Sequence, residues 1–303
     1  MSTTLIINPY ANRWQCGNHL TKIRNIIQQK NLNYKIYTTQ QKGDALQIAH
    51  REFQSGTSNI IAVGGDGTVN EVINGIMHKL THSRSSKSCN IGIIPLGTAN
   101  DLASQINIPT DINDAIQTIT NGYTKTIDIG KVNDRYFINN SAIGLETAVT
   151  VTNEKMRFVK GTIRYMLAAI LTIIKKPTWN ATITWNNQRY TGSLTLVSVG
   201  NSNRTGGMFY MTPNALPDDG KLDFIYAPDL SRLHMFKILP LTLTGKHIYE
   251  QSIQEHRSKS IEINCTPSSY IQTDGEISEC PTNHIKYNIF HKAMNIIVPQ
   301  TTY

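Results

Sequence analysis

At 303 residues, of which 39% are hydrophobic and 17% charged, the chain is long enough for two domains that each bury a core. A formal net charge of +8 calls for anionic partners, but Lys and Arg are dispersed and no helical stretch carries a dense basic face with interleaved aromatics, so no nucleic-acid-binding module is expected. Cys16, Cys89, Cys265 and Cys280 lie far apart, with no CxxC spacing and no His partners, which argues against a zinc site and leaves free thiols in a reducing, cytoplasmic compartment as the expectation.

The first residues, with Leu5-Ile6-Ile7, lack a basic segment followed by a long apolar core and are expected to form a first strand and not a signal peptide. Asn8-Pro9-Tyr10-Ala11-Asn12 then forms a turn, either a ligand-contacting loop or an ordinary connection. Leu20, Ile23, Ile26 and Ile27 recur at helical spacing over 18–29, Tyr34 to Thr38 is a strand, and Thr39, Gly43, Asp44 and Ala45 open a helix through Phe53.

Residues 59–72 are the centre of the chain. A β-branched run ends in Gly64-Gly65-Asp66-Gly67, and a helix begins near Thr68. Glycines after a strand let backbone N–H groups approach a ligand, and the positive end of the next helix favours an anion, so the loop is suited to phosphate. An Asp inside a phosphate cradle would repel it unless a cation lies between them, which makes Asp66 a candidate Mg²⁺ or Mg²⁺–water partner. Steric need alone also produces such glycine-rich turns.

A second strand–loop–helix follows at 90–102, where Asn100 is expected to cap the helix and Asp101 is a second carboxylate at a strand end. In open α/β sheets ligands sit outside the carboxyl ends of the strands, so both loops are expected on one edge. The basic, Ser-rich stretch 81–88 reads as a surface loop, and 113–120 as a helix. Beyond a boundary near Lys125, strand signals recur at 127–132, 135–139, 179–185, 189–199, 222–226, 260–264 and 270–273, the pattern of a sandwich. Residues 157–176 differ: apolar in the middle, flanked by Arg157, Lys160, Arg164, Lys175 and Lys176, and too short to span a bilayer. Such a helix rests on an anionic membrane, lines an apolar cleft, or simply packs in a core.

Taken together, Asn8-Pro9, Thr39 with Gly43-Asp44-Ala45, Gly64 to Glu71, Pro95-Leu96-Gly97-Thr98-Ala99-Asn100-Asp101, Ile127-Asp128-Ile129-Gly130, Asp218-Asp219-Gly220-Lys221-Leu222-Asp223 and Asp274-Gly275-Glu276 resemble, in order and spacing, the bacterial diacylglycerol kinase-like lipid kinases. The same marks are similar to the catalytic domains of eukaryotic diacylglycerol and sphingosine kinases. The resemblance implies a Rossmann-like α/β ATP-binding domain over 1–125, joined by the C-terminal segment 291–303, and a β-sandwich lipid-substrate domain over 126–290. It implies ATP- and Mg²⁺-dependent transfer of the γ-phosphoryl group to a lipid hydroxyl, most simply that of diacylglycerol, with peripheral contact to an anionic membrane.

By the same resemblance Asn8, Pro9, Thr39, Gly64, Gly65, Asp66, Gly67, Thr68, Asn70 and Thr98 would contact ATP. Asp66, Asp101 and Asp128 would hold catalytic Mg²⁺, and a structural Mg²⁺ would take Asp219 with the carbonyls of Leu216 and Lys221. Asp274 would be the base, with Glu276 supporting or sharing that role, although Asp-Gly is also a common hairpin turn. Two departures fall in the second domain: Gly206-Gly207-Met208 where a third glycine is common, and Gly144-Leu145-Glu146 where an aromatic and an Asp are frequent. Two rivals stay open, an NAD kinase-like enzyme sharing the Gly64–Thr68 loop and a non-catalytic nucleotide- or lipid-binding regulator. The acceptor lipid and the formation of a homodimer are left open as well.

Overall fold

The structure, a computed structural model, describes residues 2–12, 14–80, 88–156 and 163–300, which form two units, 1–127 with 292–303 and 128–291. Most of the basic loop expected at 81–88 and the first part of the segment 157–176 lie outside the described residues.

In the first unit short β-branched runs alternate with amphipathic helices: β1 Thr3–Ile7, α1 Leu20–Gln29, β2 Tyr34–Thr38, α2 Asp44–Gln54, β3 Asn59–Gly64, α3 Asp66–Leu80, β4 Asn90–Pro95, α4 Asp101–Gln105 and α5 Ile112–Asn121. The strands pair in parallel in the order β4-β3-β1-β2, with Leu5 opposite both Ile36 and Ile61, and Ile61 opposite Gly92. Parallel strands are buried on both faces, which explains why they read as continuous apolar runs instead of alternating ones. Ile23, Ile26 and Ile27 of α1 and Ile112, Ile116 and Ile119 of α5 pack on Leu5, Ile7, Ile61 and Ile94. Asp111 caps α5 by accepting the N–H groups of Asn113 and Asp114 at 2.7 and 3.2 Å, and Gly122, at φ 73°, ends it.

The chain passes to the second unit within β5 Thr124–Val132 and returns within β15 Thr282–Ile297, whose Asn295 and Ile296 pair in parallel with Asn90 and Ile91. Between them come β6 Arg135–Phe137, β7 Asn140–Gly144, α6 Leu145–Lys155, α7 Ile163–Lys175, β8 Trp179–Trp185, β9 Gln188–Gly200, β10 Leu222–Pro228, α8 Arg232–Thr242, β11 Gln254–Ser258, β12 Ser260–Ser269, β13 Gln272–Thr273 and β14 Glu276–Ile277. Antiparallel pairing runs β14-β13-β7-β9-β8-β12-β15, and β9 also pairs with β10, which pairs with β11. The architecture is β-sandwich-like. Alternate residues point inward, Ala181, Ile183 and Trp185 on β8 and Ile261, Ile263 and Cys265 on β12, and they meet Phe137, Phe224 and Tyr287 in one core. Ile173 of α7 and Met235 and Ile238 of α8 form a further cluster with Leu196 and Ile225. Among the described residues no helix is long and apolar enough to cross a membrane.

Candidate active site

In the first unit the C-terminal ends of β1, β3 and β4 are neighbours, so their loops lie on one edge of the sheet. The loops after β3 and β4 touch backbone to backbone. A Cβ on Gly65 would stand 2.9 Å from the Gly97 Cα, one on Gly97 only 2.3 Å from the Gly65 Cα, and Leu96 N–H donates to the Gly64 carbonyl at 2.8 Å. Glycine is therefore required at these positions by packing. At Gly67 a Cβ would meet nothing within 4 Å, and the space there, at the first turn of α3, is open to an anion.

Asp66 joins the two loops: its Oδ1 accepts the Asp101 N–H at 2.8 Å. Burial raises its pKa, and the main-chain N–H groups of Asn100, Asp101 and Leu102 oppose that rise. Asn100 takes the N-cap position of α4 as expected, its carbonyl accepting the Ser104 N–H at 2.9 Å, but its side chain makes no cap bond. At φ 52° its side chain closes its own turn, accepting from Gly97 N–H at 3.0 Å and donating to the Gly97 carbonyl at 3.1 Å, and Asp66 receives the helix's first N–H instead.

Around this pair the Asn8 amide donates to Thr68 Oγ1 at 3.0 Å, Thr98 Oγ1 donates to Asn12 Oδ1 at 3.3 Å, and buried Thr39 hydrogen-bonds through its N–H to the Ile7 carbonyl at 2.9 Å. Pro9 accepts the Gly17 N–H at 3.1 Å. Two residues of the expected nucleotide motif do other work: Asn70 is buried and hydrogen-bonded to Asn74, and Glu71 accepts the N–H groups of Gly43 and Ala45 at 3.0 and 3.2 Å, tying α3 to the start of α2. Among the described residues no three His, Cys, Asp or Glu side chains form a ready-made metal site. Within the first unit, Asp66 and Asp101, linked through the Asp101 main-chain N–H, are the two residues whose carboxylate chemistry suits Mg²⁺ held through water.

In the second unit Asp274 and Gly275 form the turn between β13 and β14, with φ of 47° and 86°, so the hairpin reading of this dipeptide holds. The Asp274 carboxylate does more than turn the chain. Its oxygens accept the N–H groups of Ile138 at 2.8 Å, Asn139 at 2.9 Å and Asn140 at 3.0 Å, and its own N–H donates to the Asn140 carbonyl at 2.9 Å. These bonds fix its orientation. Glu276 stands across the turn, paired in register with Thr273.

Asp128, placed by resemblance in a catalytic Mg²⁺ set, is fully buried in the second unit and holds protein groups with both oxygens. Oδ2 accepts Gly220 N–H at 2.6 Å, Oδ1 lies 2.8 Å from His291 Nδ1, and its N–H donates to the Pro217 carbonyl at 2.6 Å. It pins the loop before β10. The expected structural Mg²⁺ does not fit this loop. Asp219 Oδ1 accepts Lys221 N–H at 3.0 Å and Oδ2 is paired with the Arg257 guanidinium, so a fixed positive charge already faces the carboxylate.

Of the readings open for residues 157–176, the lining of an apolar cleft is met: Tyr165, Ala169 and Ile173 border a cavity in the second unit, with about 750 Å³ between its walls, mouth included. Tyr165, Ile173, Phe209, Met211, Met235 and Ile238 make the walls apolar. Glu146 also lines it, buried, with Oε1 accepting the Asn140 side-chain amide at 2.8 Å and Oε2 without a hydrogen-bond partner among the described residues. Burial pushes the Glu146 carboxyl up to about 6. Asn140 is thus bonded to Glu146 through its side chain and to Asp274 through its backbone. Neither Asn140 nor His291 stood out in the sequence; the polar run Asn139-Asn140-Ser141 at the start of β7 was the available signal.

Residues 2–132 match the family described as the diacylglycerol kinase catalytic domain, and 140–298 match the YegS C-terminal NAD kinase beta sandwich-like domain. A diacylglycerol kinase of Staphylococcus carnosus (strain TM300) is 30% identical over 283 residues, 93% of this chain and 90% of that protein. One from Staphylococcus saprophyticus is 31% identical over 273 residues, 90% of this chain and 88% of its own length. The crystal structure of a diacylglycerol kinase from Bacillus anthracis str. Sterne superposes with a TM-score of 0.80 at 29% identity, covering 98% of this chain and 97% of that one. With an α/β loop pair in one unit, a turn-borne carboxylate in the other and these relatives over nearly its whole length, the chain belongs to the diacylglycerol kinase family of lipid kinases.

Proposed function

We propose that this chain transfers the γ-phosphoryl group of ATP, with Mg²⁺, to a lipid hydroxyl, with diacylglycerol as acceptor and phosphatidic acid as product. The observation that carries the acceptor class is internal to the second unit: the apolar cavity and Asp274 are linked through Glu146 and Asn140. A lipid whose chain fills the cavity brings its polar end toward a carboxylate of fixed orientation. A cavity with this lining suits a largely apolar ligand with few polar contacts.

Asp274 accepts the hydroxyl proton as the lipid oxygen bonds to the γ-phosphorus and the bond to the β–γ bridging oxygen breaks, releasing ADP. Because the transition state is loose, positioning and charge neutralisation outweigh early deprotonation. Mg²⁺, when bound, neutralises the phosphate oxygens, and Asp66 and Asp101 are the residues that would hold it. The open space at Gly67 and the first turn of α3 receive the phosphates, and Glu276 supports the base.

We place the enzyme at the inner face of an anionic membrane. Leu167, Leu171 and Ile174 of α7 and Leu233 and Phe236 of α8 are exposed, and neither helix contains an acidic residue. Arg164, Lys175, Arg232 and Lys237 supply positive charge, although Lys237 also pairs with Glu250 at 3.3 Å.

The base is tested by Asp274→Asn, which keeps the side chain's size but leaves one main-chain N–H without its acceptor, so unfolding is measured alongside to confirm that the fold is kept. Steady-state turnover should fall at least about 10²-fold while nucleotide affinity, read by calorimetry, stays within about twofold. Full turnover in the variant would remove Asp274 from the mechanism.

A further inference from the structure

The loop before β10 is built around a carboxylate that a divalent ion would be expected to hold, yet protein groups already satisfy it. Arg257 stands directly opposite Asp223 in the β10–β11 ladder, so the strand register, and not a flexible side chain alone, delivers its guanidinium to this place. From there Nε reaches the two Asp223 oxygens at 3.1 and 3.2 Å, and Nη2 pairs with Asp219. Asp223 is 1% exposed, and a buried carboxylate needs such a partner. The third nearby carboxylate, Glu255, is occupied by the Asn214 side-chain amide at 3.0 and 3.2 Å. On the other side of the loop Asp128 holds Gly220 N–H and Pro217 O.

We propose that Arg257 is the resident cation of this loop, replacing the structural Mg²⁺, so that the second unit keeps its fold without a metal ion. A guanidinium remains protonated across the physiological range and offers planar, forked donors that match two carboxylates at once. A divalent ion brought to Asp219 would lie against that fixed positive charge. The chain therefore has one class of Mg²⁺ requirement, the one that accompanies nucleotide, and loses its second.

The test is thermal unfolding of the full chain without nucleotide, in EDTA and in millimolar MgCl₂, with elemental analysis of the protein after gel filtration. Wild type should melt at the same temperature in both and carry no Mg²⁺. Arg257→Met, which keeps the stem and removes the charge, should melt roughly 5 °C or more lower in EDTA and regain part of that in MgCl₂ or CaCl₂. Arg257→Lys should lose less and stay indifferent to metal. A wild-type protein that is destabilised by EDTA, or that retains Mg²⁺ which Asp219→Asn releases, would overturn the proposal. So would Arg257→Met melting like wild type. If Arg257→Met does not fold, the wild-type melting and metal content decide alone.

Discussion

Two turns carry the chemistry proposed for this chain, and their glycines are needed for opposite reasons. At Gly97 any side chain would collide with the Gly65 backbone, whereas at Gly275 a Cβ would meet nothing within 4 Å and only the φ of 86° asks for glycine. The carboxylates differ in the same way. Asp66 accepts the first N–H of α4 and so holds two loops together, while Asp274 is fixed by three main-chain donors of one neighbouring segment. The first unit thus couples its ligand loop to its own packing. The second holds a carboxylate in place while its apolar cavity lies elsewhere in the same unit.

The comparison breaks most visibly at Gly97→Ala. A methyl group 2.3 Å from the Gly65 Cα must push the loops apart, so nucleotide affinity should fall at least about tenfold and stability by about 1–3 kcal/mol. Calorimetric binding together with denaturant unfolding checks both. A variant with wild-type affinity would mean that the loop contact does not shape the nucleotide site.

A smaller effect is expected on the other side of the comparison. Met235→Trp adds volume to the cavity wall and should raise KM for long-chain acceptors by about tenfold, with nucleotide affinity unchanged. Equal loss for long- and short-chain acceptors would remove the cavity from substrate binding.

A third effect concerns stability and has a defined pH window. The Glu146 carboxyl, pushed up to about 6 by burial, lies above its unfolded value of about 4.3. Its contribution is therefore fully favourable below about pH 4 and is lost as pH rises through about 6, where the ionised form costs about 2 kcal/mol. Glu146→Gln should gain about that much stability at pH 8 and lose the gain toward pH 4, as read from urea unfolding. A gain independent of pH would mean that Glu146 is not titrating in a buried site.

The α/β half was legible because its signals are local. Ile60, Ile61, Ala62 and Val63 form a buried run in a parallel strand, and the helices beside it repeat their apolar residues at a period of 3.6. In the second unit the strand signals at 179–185, 189–199, 222–226 and 260–264 fall on β8, β9, β10 and β12, but other elements were hidden. The sixteen residues of β15 mix exposed Asn283, His284 and Lys286 with buried Ile285 and Tyr287 and then change unit, so no single period marks the strand. Thr and Val are frequent in α6, and Pro240 lies inside α8, so both helices hide from propensity.

The candidate site divides likewise. Motifs pointed to Asp66, Gly97 and Asp274, but Arg257 reaches Asp219 only through strand register, and His291 reaches Asp128 from 163 residues away. Glu146 was visible as a departure from the family pattern, while its place in a cavity wall depends on three helices and two strands that meet only after folding.

The most direct measurement is transfer of labelled γ-phosphate from ATP to diacylglycerol in mixed anionic micelles, with NAD as a parallel acceptor. The account predicts labelled phosphatidic acid, dependent on Mg²⁺, and unlabelled NAD. Label on NAD with none on lipid, or no transfer to any lipid while nucleotide binds normally, would contradict it.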